Sequence, residues 1–417
     1  MLPASEPASK EQWTLVRNAR QLLTLHGTGG PRRGPAMADL NIVPNGAVLI
    51  RNGAIENIGP ARRVENLAGA KHAREIDATG RVVMPAFVDA DMALVAPEPV
   101  DNSGKGGSRD AAHALRLMSR QRVQARAAAM AAEWARYGCV TVGAHTPCAV
   151  DMRNIGKVLR TYQALQSKPL RIRSIFSPEL PPGGDESQGS MVETLISKWL
   201  PALRHKKLSS VLELTLGGEF RAPDLLMLRS AAIAAAELGY AIRLRSATRL
   251  EPVHLQFAVS AGAIAIVAPN DTLRAFIGPL AAVGCVRVIP SSEGFGDAAN
   301  AASDMRRAIR EGAVIAIASS YRANDISSFN MQYLLHLAVD RLGLTPEEAI
   351  TATTWNAACS LRLSHVTGSL EHGKCADLLV MEVADYRDLA RRAGHHDVSL
   401  VMRAGNVVFR RTPLIPD

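Results

Sequence analysis

Hydrolytic and redox chemistry needs clustered histidines, cysteines or carboxylates, and this chain spaces few of them in that way. Among its 11 histidines and 5 cysteines there is no H-E-x-x-H and no C-x-x-C, so the commonest zinc-binding spacings are absent. Cys139, Cys148, Cys285, Cys359 and Cys375 are odd in number and scattered. That is the usage of reduced thiols in a cytoplasm rather than of a disulfide framework. The adjacent His395-His396 reads as a surface loop, and His336, inside the apolar run Tyr333–Leu337, as a packed helix residue. Asn102–Ser108 (NSGKGGS) contains Gly104-Lys105 but lacks the spacing and following Ser/Thr of a phosphate-binding loop.

Composition narrows the function classes. The 417 residues carry a net charge of +9, with 47% hydrophobic and only 4% aromatic residues, which excludes a disordered chain. The basic residues are dispersed and base-stacking aromatics are scarce, so a nucleic-acid partner is not expected. Arg116, Arg120, Arg122 and Arg126 form the nearest thing to a basic stripe, and that spacing reads as a solvated helix face. The longest apolar runs, such as Phe257–Pro269, fall short of the ~20 residues of a membrane span. Met1–Gln12 shows no apolar leader core, and the expected compartment is the cytoplasm.

Three regions must position whatever chemistry exists. Residues 13–85 are strand-like, with a hairpin at Gly46–Gly59 turning on Asn52-Gly53, the pair that a type I′ turn requires. Residues 365–417 are similar, with strands in Ala376–Val383 and Ser399–Arg410, the latter pivoting at Ala404-Gly405-Asn406. Together they predict one composite β-sandwich domain. Between them, over 86–364, short β-rich runs alternate with Ala-rich helical stretches such as Ala111–Tyr137, Pro223–Leu238 and Asn300–Glu311. The strand runs are Arg81–Asp91, Cys139–Thr146, Arg171–Glu179, Ser210–Gly218, Ala241–Ala247, Ala263–Pro269, Val286–Ser292 and Ala313–Tyr321. Eight β-α units over roughly 250 residues predict an α/β fold of the (β/α)8 TIM-barrel type, with functional groups at the C-terminal strand ends. A doubly wound sheet is the alternative, but no G-x-G-x-x-G follows any of the strands. Thr345-Pro346-Glu347-Glu348 is a capping box that opens a helix through Cys359.

A barrel flanked by a β domain made of both termini resembles the amidohydrolase superfamily, and the scaffold motifs are most similar to its imidazolonepropionase family. They include VRNARQLLTL (16–25), GPRRGPAMADL (30–40), NGAVLIRNGAIENIGPA (45–61), IDATGRVVMPAFVDADMALV (76–95), LGLTPEEAITATTWNAA (342–358), GSLEHGKCADLLVMEVADYRDL (368–389) and VMRAGNVV (401–408). The resemblance implies hydrolysis of a cyclic amide C–N bond by metal-activated water, and a homodimer. It also implies metal ligands that this chain has replaced. Asp91 and Ala93 stand where the first strand should carry His-x-His, Arg245 where the fifth should carry His, and Ser320 where the eighth should carry Asp. The sixth-strand His falls among Ala268–Asp271, none of which is a histidine. A zinc ion lowers the pKa of bound water from about 15.7 to about 7, worth about 12 kcal/mol of nucleophile activation. No isolated general base replaces that easily.

Substrate contacts differ too. Glu179 matches the family's third-strand pocket His, His145 lies in the matched second-strand segment, and Glu219 matches a family glutamate that touches the substrate ring. Three readings follow. In the first the chain is a non-catalytic homologue without metal or other cofactor, whose vacated site is filled by mutually paired polar groups such as Asp91 with Arg245. An anionic small molecule is then the expected partner, drawn by Arg245 and the net charge. In the second, Asp91, His145, Glu179, Glu219, Arg245 and Ser320 form a rebuilt, metal-independent hydrolytic site at the same barrel mouth. A third reading is an active hydrolase that uses Asp91, Asp271 and Glu219 as an oxygen-only set for Mg²⁺ or Mn²⁺.

Overall fold

The run Arg81–Asp91, continuous in its hydrophobicity, divides at Ala86 into strands of two different sheets. Val82–Pro85 pairs antiparallel with Leu378–Met381, whereas Phe87–Met92 opens a parallel sheet. Ala86 is the whole of the joint: its N–H donates to Asp377 O at 3.0 Å, and the next N–H, of Phe87, to Gly138 O at 3.0 Å. The computed structural model describes residues 11–27, 29–95, 108–147, 151–166, 169–180, 186–216, 222–246, 250–269, 282–291, 298–321 and 328–412.

The first sheet has eight strands drawn from both ends of the chain. Trp13–Leu23, Ile42–Arg51, Ala54–Pro60, Arg74–Asp77 and Val82–Pro85 come from the N-terminal part, and Leu378–Met381, Val398–Arg403 and Asn406–Arg410 from the C-terminal part. They are hydrogen-bonded as one sheet that encloses its own core of Val16, Leu22, Val48, Ile50, Val83, Leu378, Val380 and Met402. The long first strand makes this possible, because it pairs parallel with Arg74–Asp77 through one half and with Val82–Val83 through the other. The two hairpin turns meet back to back. Asn52 and Gly53 have φ of 50° and 85°, and Ala404 and Gly405 have φ of 44° and 76°. A Cβ on Gly53 would lie 2.5 Å from Ala404 O, and one on Gly405 would lie 2.7 Å from Gly53 Cα.

The second sheet is the barrel. Its strands run in sequence order and all in parallel: Phe87–Met92, Cys139–His145, Arg171–Phe176, Val211–Leu216, Ala241–Ser246, Ala265–Val267, Val286–Pro290 and Val314–Ala318. They are called here the first to eighth barrel strands. The ring closes beyond the last ladder, where Ser320 N donates to Asp91 O at 2.8 Å and Ala93 N to Tyr321 O at 2.9 Å. Side chains alternate as buried parallel strands require. Val88, Val211, Val286 and Val314 point inward, and Leu361 and Leu363, after the helix Trp355–Ser360, plug the N-terminal end.

Two helical stretches break where local side-chain hydrogen bonds compete with the ladder. Ala111–Tyr137 is two helices, Ser108–Leu117 and Arg120–Arg136, because Ser119 caps the second by accepting from Arg122 N. The four-arginine stripe is therefore divided, and Arg116 pairs with Asp151 at 2.7 Å. The capping-box helix ends at Ala352, and a new one starts at Trp355. The hydroxyls of Thr353 and Thr354 donate back to Ala349 O and Ile350 O at this break. Among the described residues no helix is long and apolar enough to cross a membrane.

Because Gly53 combines positive φ with no room for a Cβ, Gly53→Ala should destabilise the chain by about 1–3 kcal/mol. Urea unfolding measures this, and an unchanged midpoint would contradict the back-to-back packing of the two turns.

Candidate functional site

At the C-terminal end of the barrel the inward positions change from valine to charge. Glu213 follows Val211 on the fourth strand, Arg243 and Arg245 follow Ala241 on the fifth, and Asp91 lies next to the end of the first. The side chains of Asp91, Glu213 and Arg243 are fully buried and that of Arg245 is 14% exposed. Isolated charges at such depth would be prohibitively unfavourable, so each must find a partner. Arg245 forks between two carboxylates. Its Nε donates to Glu213 Oε1 at 2.8 Å and its Nη2 to Asp91 Oδ1. Arg243 lies beneath it, with Nε donating to Glu213 Oε2 at 3.1 Å, Nη1 to Ala90 O at 2.8 Å and Nη2 to Asp91 Oδ1 at 3.4 Å. Ser320 completes Asp91 by donating from Oγ to Oδ2 at 2.7 Å. It does so from a left-handed backbone with φ of 46°.

His145, at the end of the second strand, brings Nδ1 within 3.5 Å of Asp91 Oδ1, and its carbonyl accepts from the Tyr162 hydroxyl at 2.8 Å. Burial pushes the Asp91 carboxyl up, but Arg245, His145 and Arg243 outweigh burial and hold it well below the usual carboxylate range. Glu213 is lowered in the same way, with Arg245 and Arg243 opposing its burial. Arg245 is in turn raised, burial being overcome by Asp91 and Glu213. Two guanidinium groups and two carboxylates make the network neutral.

A second carboxylate on the first strand behaves differently. Asp89 is sealed from solvent and accepts from Ser319 N at 3.0 Å, Trp134 Nε1 at 3.1 Å, Asp91 N at 3.2 Å and the Ser319 hydroxyl. No cation offsets its burial, which pushes it up to about 6 against those hydrogen bonds. A bulge in pairing between Asp89 and Met92 lets both aspartates turn into polar surroundings.

The expected pairing of Asp91 with Arg245 is present, and Ser320 and His145 join it. Glu179 stands exposed in the segment after Phe176, and Glu219 and Asp271 lie outside the described residues. Glu213 and Arg243 do not stand out in the sequence-level reading, yet they supply half the charges. Their signal is lone charged residues at the inward positions of apolar strands, Val211-x-Glu213 and Ala241-x-Arg243-x-Arg245. Outside the mouth, His336 packs on its helix with Nδ1 2.6 Å from Ala390 O. His396 lies against Tyr137 and Phe409 with Nε2 2.9 Å from Arg136 O. Cys139, Cys285, Cys359 and Cys375 are free thiols, and burial raises all four, Cys285 to about 12 and Cys359 to about 11. None is an activated nucleophile. Among the described residues no three His, Cys, Asp or Glu side chains are grouped to hold a metal ion.

Comparison with known proteins decides the family. Residues 285–408 match the amidohydrolase family. The imidazolonepropionase of Solibacter usitatus is 30% identical over 420 residues, covering 95% of this chain and 98% of that one. The chain belongs to the amidohydrolase superfamily. Within the superfamily it lies close to the imidazolonepropionases; that of Symbiobacterium thermophilum is 27% identical over 94% of this chain and 96% of its own. Solved amidohydrolase-like folds agree in architecture. A triazine hydrolase variant superposes with a TM-score of 0.71 at 16% identity, over 97% of this chain and 96% of its own. Escherichia coli guanine deaminase gives 0.69 at 15%, over 96% of this chain and all (100%) of its own.

Breaking the network should be severe: Arg243→Met leaves two buried carboxylates sharing one guanidinium and costs about 3–5 kcal/mol in urea unfolding. A loss below about 1 kcal/mol would contradict the burial of paired charge. The acid limb follows from the signs. Asp91 and Glu213 are lowered from ordinary values of 3.8 and 4.5, so their stabilisation is complete above about pH 4.5 and is lost as pH falls through the folded values. The double variant Asp91→Asn/Glu213→Gln should therefore show a shallower dependence of unfolding free energy on pH below that point. A slope equal to wild type would show that these carboxylates do not titrate with folding.

Proposed function

We propose that this chain is a non-catalytic amidohydrolase-superfamily protein, whose barrel mouth is held by paired charge in place of a hydrolytic metal centre. The observation that carries the reading is the fork of Arg245 between Asp91 and Glu213. By the family resemblance, Arg245 stands where a metal ligand is expected. A guanidinium has no lone pair to give a cation and remains charged at any physiological pH. Asp91 and Glu213, the oxygen donors nearest to it, are hydrogen-bonded to guanidinium groups. The described residues at the mouth therefore do not fit a divalent metal.

The described carboxylates at the mouth are also poor general bases. Proton transfer is most effective from a group whose pKa lies near the working pH. Asp91 and Glu213 are held well below it, and Asp89, the one carboxylate near 6, is sealed beneath Trp134 and Ser319. This weighs against the rebuilt hydrolase. An anionic ligand at the mouth would compete with Asp91 and Glu213 for Arg245, so that cation alone is a poor anchor. Free cysteines support a reducing compartment, the cytoplasm. A homodimer is the assembly that the family resemblance favours.

Elemental analysis of protein purified without chelators, paired with an imidazolonepropionate hydrolysis assay, tests the proposal. Metal far below one equivalent and no turnover above a heat-inactivated control are expected. Stoichiometric zinc or iron together with turnover would refute it.

A further inference from the structure

The N-terminal end of the barrel, opposite the charged mouth, gathers several cations, and among the described residues no carboxylate is paired with Arg173. Arg173 occupies an inward position on the third strand, two residues before Ile175. Its Nη1 donates to Ser210 Oγ at 3.2 Å, while its Nε is buried without a hydrogen-bond partner. Burial lowers it from the ordinary guanidinium value, and the charged groups that add to this, Arg362 and Arg171, are both cations. Arg171 is neutralised by Asp377. Arg173 has no such carboxylate among the groups that act on it. A partly buried guanidinium crowded by like charge is unfavourable unless an anion completes it.

Space for one is present. Arg173 lines an open groove of about 580 Å³ with Arg204, Lys207, Ser210 and Gln163, and no Asp or Glu is among its lining residues. That volume falls in the range of small-molecule sites. Arg204 is anchored by Nε to Leu238 O at 2.9 Å. Lys207 follows the helix Leu200–His205 with φ of 52°, and its N–H donates to Arg204 O at 3.0 Å. Glycine or asparagine suits that helix-ending position best, so a lysine there is held against its backbone preference beside two arginines. The Ser210 oxygen accepts from Arg173, which leaves its hydroxyl hydrogen to donate.

We propose that this groove binds a phosphate-type oxyanion, orthophosphate or the phosphoryl group of a small metabolite, through Arg173, Arg204, Lys207 and the Ser210 hydroxyl. Guanidinium and ammonium donors that a strand, a helix end and the turn after it bring to one groove suit a tetrahedral dianion better than a planar carboxylate.

Isothermal titration and thermal unfolding of the full chain with orthophosphate and with glycerol 3-phosphate, against sodium chloride at equal ionic strength, test this. Wild type should bind at least one of them, and Arg173→Met and Lys207→Asn should each weaken it tenfold or more. Without phosphate, Arg173→Met should melt no lower than wild type, because it relieves like-charge repulsion; a purely structural arginine would lower the melting temperature. Lys207→Asn suits the left-handed backbone and probes the site without touching the barrel wall. Tighter glycerol 3-phosphate would assign the site to an organic phosphate, and tighter orthophosphate to the free ion. Absence of binding beyond the chloride control, or variants that bind as wild type does, would overturn the proposal.

Discussion

Charge burial at the mouth of the barrel is the constraint around which the rest of this structure is arranged. Asp91, Glu213 and Arg243 have no solvent-exposed side-chain surface, and an unpaired ion there would destabilise the fold by several kcal/mol. Each is tolerable only because the others are in place. The first, fourth and fifth strands must therefore be in register to bring them together: Arg243 lies opposite Glu213 in the parallel ladder, and the first strand bulges to present Asp91. Ser320, from the closing end of the eighth strand, adopts a left-handed backbone to complete Asp91. The network thus helps close the barrel as well as fill it.

Such an arrangement has consequences for chemistry. Pairing makes good salt bridges and poor acid–base catalysts, since the same cations that stabilise Asp91 and Glu213 depress their affinity for protons. Asp89 shows the opposite balance. With hydrogen bonds but no cation it rises to about 6, yet burial under Trp134 and Ser319 removes it from any ligand's reach. One strand thus carries two aspartates, two residues apart, whose proton affinities move in opposite directions, because burial prevails at Asp89 and the neighbouring cations prevail at Asp91.

Much of the scaffold is legible in the sequence, for physical reasons that can be named. Strands buried on both faces read as largely apolar runs, and the barrel strands do so apart from the few charged residues set among them. Asn52-Gly53 marks its turn because few residue pairs accept positive φ twice. Joints are harder to read. Hydrophobicity does not fall at Ala86, so the passage from one sheet to the other is invisible, and the breaks at Ser119 and Thr353-Thr354 arise from side-chain hydrogen bonds that periodicity does not weigh. At the site, Asp91, His145, Arg245 and Ser320 follow from the resemblance because they occupy strand ends. Glu213 and Arg243 lie deeper, where a lone charge in an apolar strand announces a partner without saying which one. Only the register between the fourth and fifth strands answers that.

The central proposal is that Arg245, standing where a metal ligand is expected, keeps a divalent metal from the barrel mouth. Crystals grown with excess zinc and measured at its absorption edge test this most directly. The account predicts Arg245 on Asp91 and Glu213 with no anomalous peak within bonding distance of either carboxylate. A full-occupancy peak between those carboxylates, with the guanidinium swung aside, would contradict it.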